Sequence, residues 1–359
     1  MHSSIQALKA NRLKTTLIYF SLTFSIVSIF LISSISYGII SMYSSMLKTD
    51  GDIIITQAKI SDTFFSNVDI KLTDKINEIK DVKESSGLIL GASPVEKLPI
   101  VAIYGVTKNR FKNYTLIKGT YPNKNEALVG ESIYNTLENK KNIQISNKIF
   151  KISGIFKSDI GFENGGIVLN LKEAGLIFNK SASIIMVNAN VNADINTLVK
   201  KLKKLNDNID VKSTDNFVTN YNQFKIIKTS SNVISFIAFC MGLIGIISIM
   251  SITVNQRKSE FGIKRAIGIS TKKIIIGIMS EGIILGIFSF ISAFFISYLV
   301  LYFIKNSSHL QGYVNGEISS SLAFYILITS LSMVIVGSIL PALDAAQTDP
   351  IVLIQGNKI

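Results

Sequence analysis

The chain has 359 residues and a formal net charge of +13, and 48% of its residues are hydrophobic. In a soluble protein such a positive charge would suggest nucleic-acid binding. Here the apolar residues are concentrated in four long runs, and much of the basic excess lies beside them, where it orients a membrane protein. The composition therefore argues against a nucleic-acid partner. It predicts an integral membrane protein, which has the lipid bilayer as its partner. The single cysteine, Cys240, excludes an intrachain disulfide.

Four segments are long enough to cross a bilayer, which needs about 20 consecutive apolar residues. Residues 15–47, 229–254 and 318–343 contain no charged side chain. In residues 274–304 the only charged side chain is Glu281. We therefore predict one transmembrane helix in each segment.

The charges in front of the first segment set the predicted orientation. Lys9, Arg12 and Lys14 precede it without any acid, which favours a cytoplasmic N-terminus. We expect a multi-pass protein of the bacterial cytoplasmic membrane with both termini in the cytoplasm. The predicted segments are a cytoplasmic N-terminal segment (1–14), transmembrane helix 1 and stalk (15–47), an extracytoplasmic domain (48–228), transmembrane helix 2 and stalk (229–254), a cytoplasmic coupling helix (255–273), transmembrane helix 3 (274–304), a short external loop (305–317), transmembrane helix 4 (318–343) and a cytoplasmic tail (344–359).

The first apolar segment is longer than a membrane requires. Its 33 residues would form a helix of roughly 50 Å, against a hydrocarbon core of about 30 Å. It lacks the small-residue cleavage site of a signal peptide, so we expect it to be retained. Its outer end, residues 37–47, should leave the membrane as a stalk. Ser21, Ser25 and Ser28 form a stripe of small residues at helical spacing, where another helix can pack closely.

Residues 48–228 contain no further segment of membrane length and predict one α+β domain. Two α+β units should flank an insertion rich in strands and turns. We predict helices at residues 73–82 and 194–205, and strands at 52–57, 87–90, 99–106, 126–130, 143–145, 149–156, 167–170 and 209–211.

This domain has no pattern typical of catalysis. It contains neither His nor Cys, which excludes zinc and thiol chemistry. Glu84, Glu96, Asp159 and Glu163 are candidate paired carboxylates, but their spacing does not distinguish them from a solvated surface. The glycine-rich residues 161–166 lack the Lys and Ser/Thr of a phosphate-binding loop and are interpreted as a turn. No Walker motif occurs in the sequence, so we expect neither an enzyme nor a metal site.

The hinge segment, residues 255–273, lies between the second and third apolar segments and is strongly basic. A small cationic segment between two membrane spans is typical of a cytoplasmic loop. Residues 257–267 fit one amphipathic helix, and Ser270 and Thr271 can cap the helix that follows. Against the single acid Glu260, the segment carries the basic residues Arg257, Lys258, Lys264, Arg265, Lys272 and Lys273.

Wound as a helix, the first half of the hinge segment places Ile263, Ala266 and Ile267 on one side. The basic residues fall on the other side, and Phe261 lies among them. We predict a helix along the membrane surface with Phe261 pointing into the cytosol, ended by Gly268. The alternative is an interfacial helix that only fixes the topology.

The third apolar segment contains a possible helix-packing motif and an acid. Gly282 and Gly286 form a G-x-x-x-G pattern, whose spacing lets helices approach closely. Glu281 lies about two turns inside the segment, where an unpaired carboxylate costs roughly 2.5–3.5 kcal/mol, so it should face a bundle interior or pair with a base. Two interpretations stay open: a gating or subunit-contact residue, or an acid that reaches towards Lys272 or Lys273.

The fourth apolar segment ends in a turn-forming sequence. Pro341 should bend or end the helix, and Asp349 with Pro350 should make a turn. Residues 351–354 then form a short apolar patch in the predicted cytoplasmic tail. We expect this patch to dock against another protein surface.

These stretches together resemble the FtsX-like permease family, the membrane subunits of MacB-type ABC transporters. The hinge carries Gln256-Arg-Lys-Ser-Glu-Phe-Gly-Ile-Lys-Arg-Ala-Ile-Gly268 followed by Glu281-Gly282, similar to the family's Q-R-[KR]-x-E-[IF]-G-[IL]-x-[KR]-A-[IL]-G block. The end of the fourth segment carries Leu340-Pro-Ala, Ala345-Ala346 and Asp349-Pro350, similar to the family's P-A-x-x-A-x-x-x-D-P signature. Asp344 and Gln347 replace residues that are often basic in the family, so we expect no electrostatic role for this tail.

The large domain also resembles MacB-like periplasmic core domains. The phrases that carry this resemblance are Lys118-Gly-Thr-Tyr-Pro, Glu126-Ala-Leu-Val-Gly-Glu131 and Phe150-Lys-Ile-Ser-Gly-Ile155. The implied fold is four transmembrane helices plus an extracytoplasmic α+β domain between helices 1 and 2.

The resemblance implies a non-catalytic subunit that pairs with a second permease, identical or paralogous. Each permease would dock a separate cytosolic ABC ATPase, which binds ATP and Mg²⁺, and would move its external domain by mechanotransmission. The implied ATPase-coupling residues are Arg257, Glu260, Lys264, Arg265 and Gly268, with Phe261 as the anchor.

The implied activity is export of, or resistance to, a peptide or amphiphilic molecule such as a bacteriocin, an antimicrobial peptide or a lipoprotein. An extracytoplasmic peptide or adaptor would be a further partner. The alternative is an FtsX-like regulator that activates cell-wall hydrolases without transport.

Overall fold

The computed structural model describes residues 12–306 and 316–347, apart from residues 97, 135, 138–139 and 159–160. The predicted turn at Asp349 and Pro350 lies outside these residues, as does Asp159. The described chain divides into two compact units. The helical unit comprises residues 12–36, 229–302 and 316–347, and the sheet unit comprises residues 37–228 and 303–306.

The elements follow one another in chain order with short connections. They are α1 (Arg12–Asp50), β1 (Ile53–Gln57), α2 (Leu72–Asn77), β2 (Val82–Val95), β3 (Leu98–Val106), a 3-10 helix (Lys108–Asn113), β4 (Thr115–Gly119), β5 (Glu126–Gly130), α3 (Glu131–Tyr134), β6 (Asn142–Ile145), β7 (Lys148–Lys157), α4 (Gly161–Asn164), β8 (Gly166–Asn170), α5 (Leu171–Phe178), β9 (Ile184–Ala189), α6 (Ile195–Lys203), β10 (Ile209–Ser213), α7 (Thr214–Asn220), α8 (Asn222–Gln256), α9 (Lys258–Ala266), α10 (Thr271–Asn306) and α11 (Ser320–Gln347).

Among the described residues, four helices are long and apolar enough to cross a membrane: α1, α8, α10 and α11. Their side chains are apolar around the whole circumference, as expected for helices that face lipid on one side and each other on the other. Phe24, Phe295 and Phe324, for example, are exposed to 69%, 65% and 65% although they are large and apolar. The predicted fold class, four transmembrane helices with an α+β domain between the first and second, is confirmed.

The core of the helical unit is formed by apolar side chains of all four long helices. Leu22, Ile26 and Phe30 of α1 are fully buried, as are Met333 and Val334 of α11. The buried cluster also takes in residues of α8 and α10.

Small residues let the helices of this unit approach closely. A Cβ on Gly245 of α8 would lie 2.3 Å from the Ser21 Oγ, and one on Gly242 would lie 2.8 Å from the Ser25 Oγ. Two members of the serine stripe therefore lie against α8, in contact with its glycines. Ser28 instead donates its hydroxyl to the Phe24 carbonyl of its own helix at 2.9 Å.

The sheet unit is built on one mixed sheet. Among the described residues it has ten strands, in the order β10-β1-β9-β2-β3-β8-β5-β7-β4, with β6 paired to β2 and β7. The pairs β3–β8 and β5–β7 are parallel and the other neighbours are antiparallel. The strands of the two predicted α+β units and of the insertion between them therefore share one sheet.

Two strands and four α-helices of the sheet unit were missed from the sequence, namely β4, β9, α3, α4, α5 and α7, and so was the 3-10 helix; the glycine-rich residues interpreted as a turn begin α4. Ile184 and Met186 of β9 belong to one buried apolar cluster and Ile185 and Val187 to another, so both faces of this strand are covered and it reads as a short apolar run without alternation. Such a run does not distinguish a buried strand from a buried helix. The helix α5 begins at Asn170, whose side chain accepts a hydrogen bond from the Lys172 amide, a capping pattern visible in the sequence.

A buried ionic cluster lies at the C-terminal end of α1. One guanidinium nitrogen of Arg110, in the 3-10 helix, donates hydrogen bonds to two carboxylates. One acceptor is Asp50, the last residue of α1, and the other is Glu163 Oε1 at 2.8 Å. The three side chains are exposed to only 1%, 1% and 2%. Asn113 donates to Asp50 at 2.6 Å, and the Tyr114 hydroxyl donates to Glu163 at 3.1 Å. The cluster therefore ties α1 to two segments of the sheet unit.

The interpretation of Glu163 as part of a solvated surface was therefore wrong. Sequence spacing could not detect its burial, because Arg110 lies 53 positions away. Glu84 and Glu96 do form surface ion pairs, with Lys112 at 2.6 Å and Lys140 at 2.5 Å.

We predict that Arg110→Ala strongly destabilises the sheet unit. The substitution leaves Asp50 and Glu163 buried without their cation, which costs about 3–5 kcal/mol. Lys112→Ala, which removes a partner of the exposed Glu84, should cost at most about 1 kcal/mol. Thermal unfolding of the detergent-solubilised chain, followed by circular dichroism, measures both. Equal shifts in the two variants would contradict this account of the cluster.

Candidate functional site

The hinge segment folds as one short helix between two long ones. Arg257 has a non-helical backbone (φ −102°, ψ 11°) between α8 and α9. After α9, Gly268 has a φ of +91°, a left-handed conformation that favours glycine. The Gly268 amide donates to the Arg265 carbonyl and the Ile269 amide to the Lys264 carbonyl, both at 3.0 Å. This is the Schellman motif that ends many helices, so a glycine is required at this position.

A network of charged side chains crosses the start of α9. The Nε of Arg257 donates a hydrogen bond to Glu260 at 3.0 Å. Its Nη1 donates hydrogen bonds to both carboxylate oxygens of Glu281, at 3.0 and 2.9 Å. Lys264 donates to Glu260 at 2.6 Å, one helical turn further on. Three of the predicted coupling residues, Arg257, Glu260 and Lys264, therefore contact one another. The fourth charged one, Arg265, lies half-buried in the last turn.

The same network sets the protonation of Glu260. The hydrogen bond from Arg257, together with that from Lys264, lowers the pKa of Glu260 to about 2, against a usual value of about 4.3. Glu260 is therefore ionised throughout the physiological pH range.

The prediction that Phe261 points into the cytosol was wrong. Phe261 is exposed to only 3% and belongs to the buried core of the helical unit. The Arg257 guanidinium carbon lies 5.0 Å from its ring centroid and the Lys264 ammonium nitrogen 5.8 Å, distances at which a cation is attracted by an aromatic face. A helical wheel correctly put Phe261 beside these cations, but it could not show that this side of α9 turns inwards.

The opposite side of α9 is exposed and apolar. Ile263 and Ile267 are exposed to 52% and 73%, and Ala266 between them is exposed as well. These three residues, which we call the apolar face of α9, lie at positions i, i+3 and i+4 and form one stripe. A stripe of this kind on a short surface helix is available to a membrane surface or to a protein partner.

The partner of Glu281 is Arg257 and not the two lysines considered from the sequence. Glu281 lies in α10, is 7% exposed and receives two hydrogen bonds from one nitrogen of Arg257. The expectation that this acid pairs with a base therefore agrees with the geometry. Lys272 and Lys273 lie in the first turn of α10 and are exposed.

Gly282 and Gly286 lie where α10 meets α11. A Cβ on Gly282 would lie 2.5 Å from the Ser338 Oγ, and one on Gly286 would lie 2.8 Å from a methyl carbon of Val334. Larger side chains at either glycine would push the two helices apart.

The end of α11 differs from the sequence-based expectation in two respects. Pro341 does not end the helix, which continues to Gln347. Asp344 pairs with Lys258 of α9 at 3.5 Å, so the expectation of no electrostatic role for this region was wrong. The pair is exposed to 35% and 61%, and exposed pairs of this kind contribute little to stability.

No group of three or more His, Cys, Asp or Glu side chains that could hold a metal ion occurs among the described residues. The site consists of an arginine, two carboxylates, a lysine and a buried aromatic ring.

Comparison with known families decides what kind of protein contains this site. A MacB-like periplasmic core domain matches residues 15–205, more than half of the chain, and the C-terminal part of FtsX-like permeases matches residues 232–350. The chain is an FtsX-like permease of the MacB type. The second match contains the whole hinge segment and therefore α9, Arg257 and Glu281.

Two relatives of this chain are named as permeases. An uncharacterized ABC transporter permease of Methanocaldococcus jannaschii is 26% identical over 230 residues, which cover 60% of this chain and 57% of the relative. The putative hemin transport system permease protein HrtB of Staphylococcus haemolyticus is 24% identical over 257 residues, 70% of each chain. The periplasmic region of MacB from Actinobacillus actinomycetemcomitans aligns at 12% identity and a TM-score of 0.38, covering 46% of this chain and 89% of that structure. The chain spans little more than half the length of the first two curated relatives that it matches, 57% and 53%, and it belongs with them among the ABC transporter permeases.

We predict that Phe261→Ala loosens α9 from the helical unit. Removal of a buried phenylalanine ring costs about 3–5 kcal/mol, whereas Ile263→Ala on the exposed side should cost about 0.5 kcal/mol or less. The rate of trypsin cleavage after Lys264 and Arg265 in the solubilised permease measures this, and it should rise only in the Phe261 variant. Unchanged cleavage in that variant would show that the ring does not hold the helix.

We also predict a pH dependence that is specific to Glu260. Because its pKa is lowered on folding, Glu260 stabilises α9 above its unfolded pKa of about 4.3, and this stabilisation is lost as the pH falls towards about 2. Amide-exchange protection of α9, corrected for intrinsic rates, should be constant from about pH 7 to 5 and fall below about pH 4. Glu260→Gln should remove this part of the pH dependence, and an identical profile in both proteins would contradict the assignment.

Proposed function

We propose that the permease couples ATP hydrolysis by a separate cytosolic ABC ATPase to movement of its sheet domain outside the cell. The observation that supports this best is the construction of α9. One side of this helix is fixed by the buried Phe261 and by the Arg257–Glu281 pair. The other side carries an exposed apolar stripe.

The ATPase would bind the apolar face of α9. Ile263 and Ile267 are exposed to 52% and 73%, and apolar side chains that fill pockets dominate binding energies at interfaces. The proposed anchor therefore moves from Phe261 to these isoleucines. Glu260, Lys264 and Arg265 would surround the anchor as a charged rim, where contacts contribute less.

The proposed orientation follows the positive-inside rule. The hinge segment would lie in the cytoplasm, where ATP and Mg²⁺ bound to the partner supply the energy, and the sheet domain would lie outside. A second copy or a paralogue of the permease would complete the transporter.

The proposed substrate is a peptide or an amphiphilic molecule that is exported or to which the cell becomes resistant. The relative HrtB is named for the transport of hemin, which is itself an amphiphile. The sheet unit also contains an apolar cavity of about 190 Å³, lined by residues that include Ile39, Met42, Phe64 and Phe224. Such a cavity has room for a single apolar group of a larger substrate.

The competing proposal is a regulator of cell-wall hydrolases that moves in the same way but transports nothing. Deletion of the gene separates the two. Loss of tolerance to hemin or to an antimicrobial peptide supports export, whereas chaining or altered cell shape supports regulation.

The coupling proposal is tested by purifying the tagged permease from its native cells and probing the preparation for a bound ABC ATPase. We expect the ATPase to co-purify, and Ile267→Asp to weaken its binding at least about tenfold, because a buried charge replaces an apolar anchor. Ser270→Asp is the matched control, because it places the same charge on an exposed hinge residue outside α9. Equal binding by both variants would contradict the assigned docking face, and the absence of any bound ATPase would contradict the proposed function.

A further inference from the structure

The ion pair between Arg257 and Glu281 joins the start of α9 to α10. We propose that Arg257 and Glu281 are positioning residues of the coupling step. Their ion pair fixes the start of α9 to α10, so that a displacement of α9 by the ATPase reaches α10 and is not absorbed in the hinge. This inference rests on the proposed function, because it needs an ATPase bound to α9.

The backbone makes such a fixed point necessary. Arg257 interrupts the helical path between α8 and α9, and Gly268 interrupts it again before α10. A short helix with a break at each end can rotate about both breaks. Without a side-chain connection, a force on α9 would change these backbone angles before it moved a long helix.

Arg257 is placed to prevent this rotation. Its Nη1 binds both oxygens of Glu281 in α10, its Nε binds Glu260 in α9, and its guanidinium lies over the ring of Phe261. One side chain at the first break is therefore attached to α9 and α10 at the same time. The planar arginine fork makes these contacts directional, which a lysine cannot do.

The environment of the pair differs from that of the exposed ion pair between α9 and α11. The side chains of Arg257 and Glu281 are exposed to 14% and 9%, at a distance of 2.9 Å. Lys258 and Asp344 link α9 to α11 at 3.5 Å, but with exposures of 35% and 61%. Water and salt screen the second pair far more than the first. The exposed pair is therefore the natural control for the buried one.

The first experiment measures the attachment of α9 in the purified full-length permease without ATPase. We expect Glu281→Gln to increase amide exchange of residues 258–266 about tenfold, since local opening follows the loss of the contact that closes it. Asp344→Asn, which removes the exposed pair, should leave this exchange unchanged. Equal exchange in the Glu281→Gln variant and the unaltered protein would overturn the proposal.

The second experiment follows coupling in the complex with the ATPase. Spin labels on cysteines at Ser259 of α9 and Lys273 of α10, both exposed, report the distance between the two helices in a Cys240→Ser background. With MgATP and vanadate, we expect this distance to stay constant in the unaltered permease and in Asp344→Asn. In Glu281→Gln it should change by several ångströms, while the ATPase binds as tightly as before.

The outcomes are distinguishable. A distance that changes equally in all three proteins, or in none of them, would overturn the proposed role of the pair. If Glu281→Gln also releases the ATPase, Glu281 serves docking and the proposal fails. If the unaltered permease binds no ATPase, both the proposed function and this inference fail. If Glu281→Gln does not accumulate in the membrane, Glu281→Met gives the same test, because it removes an acid from an apolar segment.

Discussion

An acid inside a membrane-spanning helix has to be neutralised, and this requirement organises the helical unit around Arg257. Glu281 is the only charged residue in a predicted span of 31 apolar-rich positions, residues 274–304, and it pairs with Arg257 through two hydrogen bonds. The same arginine also binds Glu260 and lies over the ring of Phe261. This guanidinium group therefore holds the start of α9 together with the buried ring of Phe261.

The sheet unit also contains buried carboxylates that are paired with a single arginine. There Arg110 neutralises Asp50 and Glu163 in the interior, and Asp50 is the last residue of the long helix α1. Two carboxylates that were not hydrogen-bonded to a cation could not remain buried and ionised. In both units a buried arginine therefore joins the end of one element to residues distant in sequence. Such contacts are directional, so they define one arrangement of the elements where apolar packing alone would tolerate several.

Several features of the fold were predictable from local sequence because their causes are local. A run of uncharged residues such as 229–254 predicts a membrane helix wherever it occurs, and alternation or capping residues predict strands such as β6 and helices such as α6. Gly268 was predictable as a helix end for the same reason. The strand β9 was not predictable, because both of its faces pack against apolar clusters and its sequence therefore shows no alternation. The inward direction of Phe261 was not predictable either, because a helical wheel assigns residues to sides without saying what covers each side.

The sequence by itself determined the four spans, the α+β domain between the first two, the basic hinge and its resemblance to FtsX-like permeases. These follow from composition and from patterns within a few residues. Only the tertiary structure decided that Glu281 meets Arg257, that Glu163 is buried with Arg110, and that Ile263 and Ile267 form the exposed face of α9. The reason is physical: which charge neutralises a buried acid depends on distances between elements, and no spacing along the chain contains those distances.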